Sequence, residues 1–169
     1  MTRVLLSVAV LLFFALCLYG MWHGWQRRKR AQAEVFDAFP QPPATTGEPL
    51  LPETTGVYVG TTTAANWQDR VQVGDVGHRA EAVARLTGEG LLLDRTGAEP
   101  LWIPAASIRG ARTARGLANK VMSADGLLVV TWQHGEQLLD TGFRGDEKDV
   151  YEQWVSALDA LAPSQGGTA

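Results

Sequence analysis

From Val4 to Trp22 the chain runs for about 19 residues in which only Cys17 and Tyr19 are ionisable, and past Trp25 it meets four consecutive cations, Arg27, Arg28, Lys29 and Arg30. As a helix, such a run is long enough to cross the hydrocarbon of a bilayer, and a helix is the form in which its backbone satisfies its own hydrogen bonds there. A cleaved secretion signal would carry its charges before the apolar stretch and a small-x-small site after it. Here Arg3 alone precedes the run and bulky "YGMW" ends it. A lipoprotein site at Cys17 would need a small residue before it, where the chain has Leu16. The expectation is an uncleaved transmembrane helix within residues 1–25, with Tyr19, Trp22 and Trp25 at an interface suited to amphipathic rings.

The same stretch orients the chain. A flank rich in Lys and Arg stays in the cytoplasm, so the short N-terminus is expected outside and the rest of this single-pass protein inside, at the plasma membrane. Arg27, Arg28, Lys29 and Arg30 also suit anionic lipid headgroups. Gly20 and Gly24 in "GMWHG" have small-xxx-small spacing, which allows a weak homodimer through the helix.

Composition narrows the partners of the remaining chain. From Ala31 onward there are 10 basic against 18 acidic residues, a net charge of −8, which argues against nucleic acid. The single cysteine, Cys17, sits in the apolar run, so one chain can build neither a disulfide framework nor a cysteine zinc site outside it.

Residues 26–55 read as a juxtamembrane basic cluster and a tether, because "PQPPATTGEPLLPETTG" packs five prolines among Thr, Gly and Glu. One domain is expected over 56–163, followed by a disordered tail, 164–169. Within it, "GVYVGTTT", "RAEAVARL", "GLLLD", "PLWIP", "SIRGARTA", "GLLVVTW" and "QLLDTGF" read as about seven short strands, the last two forming a hairpin around "QHGE". The period then changes. Val150, Trp154, Leu158 and Leu161 recur at helical spacing, Asp146 and Asp149 suit a helix start, and Pro163 ends the run.

Seven antiparallel strands closed by a helix with a tryptophan in "YEQWVSAL" resemble the pleckstrin-homology-like (PH-like) superfold, a barrel or sandwich whose open corner the helix plugs. The apolar helix, the Pro-rich segment and the strings "YVGTT", "LWIPAASIRGAR" and "GLLVVTWQHGEQLLDTGFR" are similar to actinobacterial single-pass membrane proteins with a bacterial PH-like domain, loosely labelled export or transporter proteins. The resemblance implies a mainly β fold with one C-terminal helix, and Trp102, Trp132 and Trp154 in its core. It implies little about function, because this superfold hosts many. Phosphoinositide-binding members use a basic first hairpin loop; here that loop, "AANWQDRVQVGDVGHR", sets only Arg70 and Arg79 among acids, so that activity is not carried over.

Catalysis would need a nucleophile beside a base or a carboxylate pair in a pocket. His23, His78 and His134 have no such partner at a recognisable spacing, no His/Cys cluster or Asp-rich loop suits a metal, and "GEGLLLDRTG" lacks the Lys-Ser/Thr of a phosphate loop. The expectation is therefore no enzyme and no cofactor. Arg109, Arg112, Arg115 and Lys120 form a basic strip without an acid, a candidate contact for an anionic surface, although strand alternation would not set all of them on one face. Trp67 is expected to pack inside, with an exposed anchor as the other reading. The functional expectation is a membrane-anchored cytoplasmic binding or scaffolding module with the bilayer and another protein as partners. The alternative is an accessory subunit of a transport or export complex, since one helix without an intramembrane charge offers no polar path alone.

Overall fold

The computed structural model describes residues 2–33, 38–45, 47–117, 120–121 and 126–163, in two units, Met1–Val35 and Phe36–Ala169. The first is the helix α1, Thr2–Ala33. Within it Leu6–Gly24, 19 residues, is long and apolar enough to cross a membrane, and Leu11, Phe13, Leu16 and Leu18 are exposed. The helix runs past the expected end at residue 25, so the backbone of the four-cation cluster is helical; the side chains of Arg27, Arg28, Lys29 and Arg30 lie outside the described ones.

Among the described residues the second unit has ten strands: β1 Thr54–Thr63, β2 Asn66–Arg70, β3 Ala80–Thr87, β4 Gly90–Arg95, β5 Leu101–Pro104, β6 Ile108–Ala114, β7 Gly116–Leu117, β8 Lys120–Val121, β9 Leu127–His134 and β10 Gln137–Gly145, followed by the helix α2, Tyr151–Leu161. All pairings are antiparallel, and the sheet order is β5-β4-β3-β1-β10-β9-β6 with β2 beside β1; β7 and β8 form a separate hairpin. The edge strands β5 and β6 are consecutive in the chain, joined by a turn of 3-10 helix at Ala105–Ser107, yet are not neighbours in the ladder. That break is the open corner. α2 lies against β6 and sends Tyr151, Trp154 and Leu158, three residues of one helical face, into the core.

Alternation sorts the sheet into two faces. Tyr58, Leu86, Leu91, Leu93, Ile103, Leu128, Val130, Trp132 and Phe143 point inward to the main core with α2. Leu127 and Val129, the alternate residues of β9, join Val59, Ala114 and Leu117 in a smaller cluster. Leu117 seats there against Gly142, where a Cβ would stand 2.5 Å from its Cδ2.

The seven expected strands and the final helix are all present, with β2, β7 and β8 in addition. Two local expectations need correction. The tether expected over 26–55 holds only in part: Leu50 N–H donates to Leu86 O (2.8 Å), Pro49 bridges Thr87, Glu53 pairs with Arg85 (2.6 Å), and Phe39 and Leu51 pack against the core. Prolines remove backbone donors but leave neighbouring apolar side chains free to bury. The hydrogen bond from Arg85 also holds the Glu53 carboxyl below its ordinary range. The second correction is the start of α2. Its N-cap is Val150 without a side-chain cap, and Asp146, four residues before it, accepts from Thr55 Oγ1 (2.8 Å) on β1. The expected tail, 164–169, lies outside the described residues.

Candidate functional site

β9 ends on the core face with Trp132 and, two residues on, His134, so strand alternation sets two aromatic rings side by side, 5.6 Å between centroids. A third ring closes on them from far upstream. Phe39 stacks on His134 at 4.7 Å and 13° and meets Trp132 at 6.1 Å and 52°, both within the range of favourable ring contacts. Gly74, in the loop between β2 and β3, completes the seat. A Cβ there would come 2.3 Å from the Phe39 ring, and its φ of +66° is one that glycine adopts easily. The result is an aromatic slot at one end of the sheet, filled by the chain's own Phe39.

Behind the slot runs a buried line of hydroxyls with a fixed sense. Trp132 Nε1 can only donate and does so to Thr141 Oγ1 (2.9 Å); Thr141 and Thr61 share a bond of 2.9 Å, Thr61 and Tyr58 one of 2.8 Å, and Tyr58 donates to Val76 O (2.5 Å). Each hydroxyl has one proton, so every bond in the line runs from Trp132 towards Val76. Arg95 lies over the Tyr58 ring, 4.9 Å from its centroid, with its own donors on Glu99 O (2.8 Å) and Asp75 O (2.7 Å). The wall that presents Trp132 is thereby held rigidly.

Burial pushes the Tyr58 hydroxyl far above its ordinary value of 10.0 and raises Tyr151 in the same direction. A proton held more tightly in the folded state gives stability that is intact below the unfolded value and is lost as pH rises above it. Stability is therefore expected to fall above about pH 10, by up to about 1.4 kcal/mol per pH unit for each phenol. Denaturant midpoints measured against pH should show a shallower alkaline slope for Tyr58→Phe; an unchanged slope would contradict the assignment.

The basic strip is dispersed by its own fold. Arg109 occupies a bulge in β6 and donates to Ala106 O (2.8 Å) and Ile108 O (3.1 Å). Arg112, half exposed, reaches the carboxylate of Asp140, 4% exposed, at 2.5 Å, while Thr131 Oγ1 donates to the other oxygen at 2.6 Å. Arg115 is exposed and engaged elsewhere; the Lys120 side chain lies outside the described ones. Trp67 overturns the expectation of packing: it is 41% exposed, whereas Trp102, Trp132 and Trp154 are buried. Of the histidines, His78 contacts Asp75 at 3.1 Å on the surface and His23 stacks on Tyr19. Among the described residues no three His, Cys, Asp or Glu side chains group as metal ligands. A cleft beside β1 and β3 is lined by Thr55, Glu81, Thr96 and Asp146 among apolar neighbours, with the Thr55 hydroxyl already given to Asp146.

Residues 36–159, more than half the chain, match the model of a family described as bacterial PH domain-like. The chain belongs to that family. The PH-like fold expected from the strand count and from the tryptophan of α2 is thus the fold the chain has. Among solved structures the chain is similar to one in "The 8S snRNP Assembly Intermediate", at 12% identity and a TM-score of 0.49 over 78% of this chain and 96% of that one. It is also similar to one in a structure of Vav1 inhibited by an allosteric inhibitor, at 12% identity and a TM-score of 0.40 over 83% of this chain and 33% of that one. No curated protein matches the chain. The sequence signal for the aromatic slot of this PH-like domain was slight: Phe39 next to Pro40, an aromatic residue in a Pro-rich stretch.

Proposed function

We propose that this protein is a non-enzymatic, single-pass membrane protein that holds its PH-like domain on the cytoplasmic side as a binding or scaffolding module for another protein. The observation that carries the reading is the joining of a PH-like domain to a 19-residue apolar stretch of α1, Leu6–Gly24, with the cluster from Arg27 to Arg30 immediately after it. An apolar helix surface of this extent is a poor surface to leave in water, and lipid is the solvent that matches it. The cations beyond it favour a cytoplasmic position for the PH-like domain and add attraction to anionic headgroups. Within the domain, Arg109 adds to this attraction, whereas the charge of Arg112 is compensated by Asp140 and Arg115 is engaged elsewhere.

The test of anchoring is extraction. Membranes from cells making the full chain, washed in alkaline carbonate, should retain it. A variant with Leu12→Lys and Phe13→Lys, two charges at the middle of the span, should be largely released, since each such charge costs about 2.5–3.5 kcal/mol there. Release of the natural chain under the same wash would overturn the reading.

A further inference from the structure

Among the described residues of the second unit, three large apolar side chains are exposed: Leu50, Trp67 and Leu138. Strand pairing sets two of them at one end of the sheet. Thr63, the last residue of β1, faces Leu139 on β10 and Asn66 on β2, and the N–H of Ala64 donates to Leu138 O (2.8 Å). Leu138 and Trp67, each 41% exposed, thus adjoin a single row of the sheet, while Leu50 lies at the opposite end beside Leu86. Phe39 belongs to the same end as Trp67. It stacks on His134, which pairs with Gln137, the residue before Leu138.

In an anchored chain, that end is the one the span holds near lipid. From Gly24, the last residue of the apolar stretch, the chain is helical as far as Ala33, and Phe39 is packed against the core. At about 1.5 Å per helical residue and about 3.5 Å per extended one, the reach from Gly24 to Phe39 is at most about 35 Å, roughly the width of a domain of this size. Charge does not draw this end to an anionic leaflet, since Asp69 on β2 and Glu136 in the β9-β10 turn belong to it. An exposed indole has another reason to be there. Its apolar body and polar N–H suit the headgroup region, where tryptophan concentrates.

We propose that Trp67, with Leu138 at the same end, is a second membrane contact: its indole lies in the headgroup layer of the bilayer that α1 crosses, and turns the end of the sheet holding Phe39 towards lipid. This rests on the reading of the chain as membrane-anchored and names the face of the domain that meets the surface. One indole binds a bilayer weakly, but a short linker raises the effective concentration of the contact to about millimolar, so it persists without high intrinsic affinity. The opposite end, with the cleft of Thr55, Glu81 and Asp146, is left facing away from lipid.

The test follows Trp67 in the full chain, reconstituted in vesicles of uncharged phosphatidylcholine with or without bromine near the headgroup end of the acyl chains, where bromine quenches an indole it touches. The Trp67→Phe chain keeps the other tryptophans, so the emission it lacks is that of Trp67. This difference emission is expected to fall at least about twofold in brominated vesicles and to stay quenched in about 1 M salt, where screening shortens to about 3 Å. Adding Leu138→Glu to both chains sets a charge at the same end and is expected to restore much of the emission. Equal difference emission in the two kinds of vesicle, recovery in salt, or indifference to Leu138→Glu each overturns the proposal. Trp22 and Trp25 remain in the Trp67→Phe chain, and their quenching by the same lipid reports the span itself, so failure of the contact and failure of anchoring are told apart.

Discussion

Replacing Trp154 by alanine is expected to destabilise the PH-like domain by about 3–5 kcal/mol, the range for truncating a large aromatic side chain in a packed core. Trp154 is almost fully buried and is the central residue of the three that α2 sends into the sheet. Beside the packing of Tyr151 and Leu158, two hydrogen-bonded contacts hold the helix. Tyr151 Oη accepts from Gly145 N (2.8 Å) and donates to Gly126 O (3.2 Å), and Asp159 Oδ1 accepts the N–H of Ala111 on the edge strand β6 (2.8 Å). Both sit at the ends of α2, so a void in the middle leaves the helix without its main apolar contact. With a total stability of about 5–15 kcal/mol for such domains, the loss corresponds to a fall in melting temperature of roughly 10–20 °C. Near-UV circular dichroism of the full chain in detergent checks this, with the exposed neighbour Ser156→Ala as a control. An unchanged melting temperature would mean that α2 is not the plug of the open corner.

What could be read from the sequence was what depends on period. The spacing of Trp154 and Leu158 and the alternation through "GLLVVTW" and "QLLDTGF" are local properties, and each gives the element found there. The β9-β10 turn was legible for the same reason, since Gly135 takes a left-handed φ of 56° between paired His134 and Gln137. What was not legible depends on long-range contact. Arg95, in "GLLLDRTG", looks like a turn residue, yet it is 3% exposed because a carbonyl 20 residues upstream, Asp75 O, accepts from it. The same holds for Asp140, whose partner Arg112 is 28 residues away. Short pairings such as β7 with β8 carry too few residues to show a period. Trp67 was misjudged because apolar character alone does not say which face of a short strand is covered; it stands exposed on β2.

The slot shows the same limit more sharply. Trp132 and His134 could be placed on one face of β9 from their spacing, but the ring that covers them lies some 93 residues earlier in the chain, in a stretch whose prolines suggested a tether. Proline content bears on regular hydrogen bonding, because each proline lacks a backbone donor. It says nothing about whether a phenylalanine beside the prolines finds a place to bury.

The central claim is that the PH-like domain is displayed on the cytoplasmic face of the membrane, and the side on which the C-terminus lies decides it. A reporter that matures only in the cytoplasm, fused after Ala169, is expected to be active, and one that works only after export is expected to be silent at the same position. Replacing Arg27, Arg28, Lys29 and Arg30 together by glutamine should shift part of the population to the opposite orientation, because these cations are what distinguishes the two flanks of the span. Activity of the export-dependent reporter on the natural chain, with silence of the cytoplasmic one, would contradict the account.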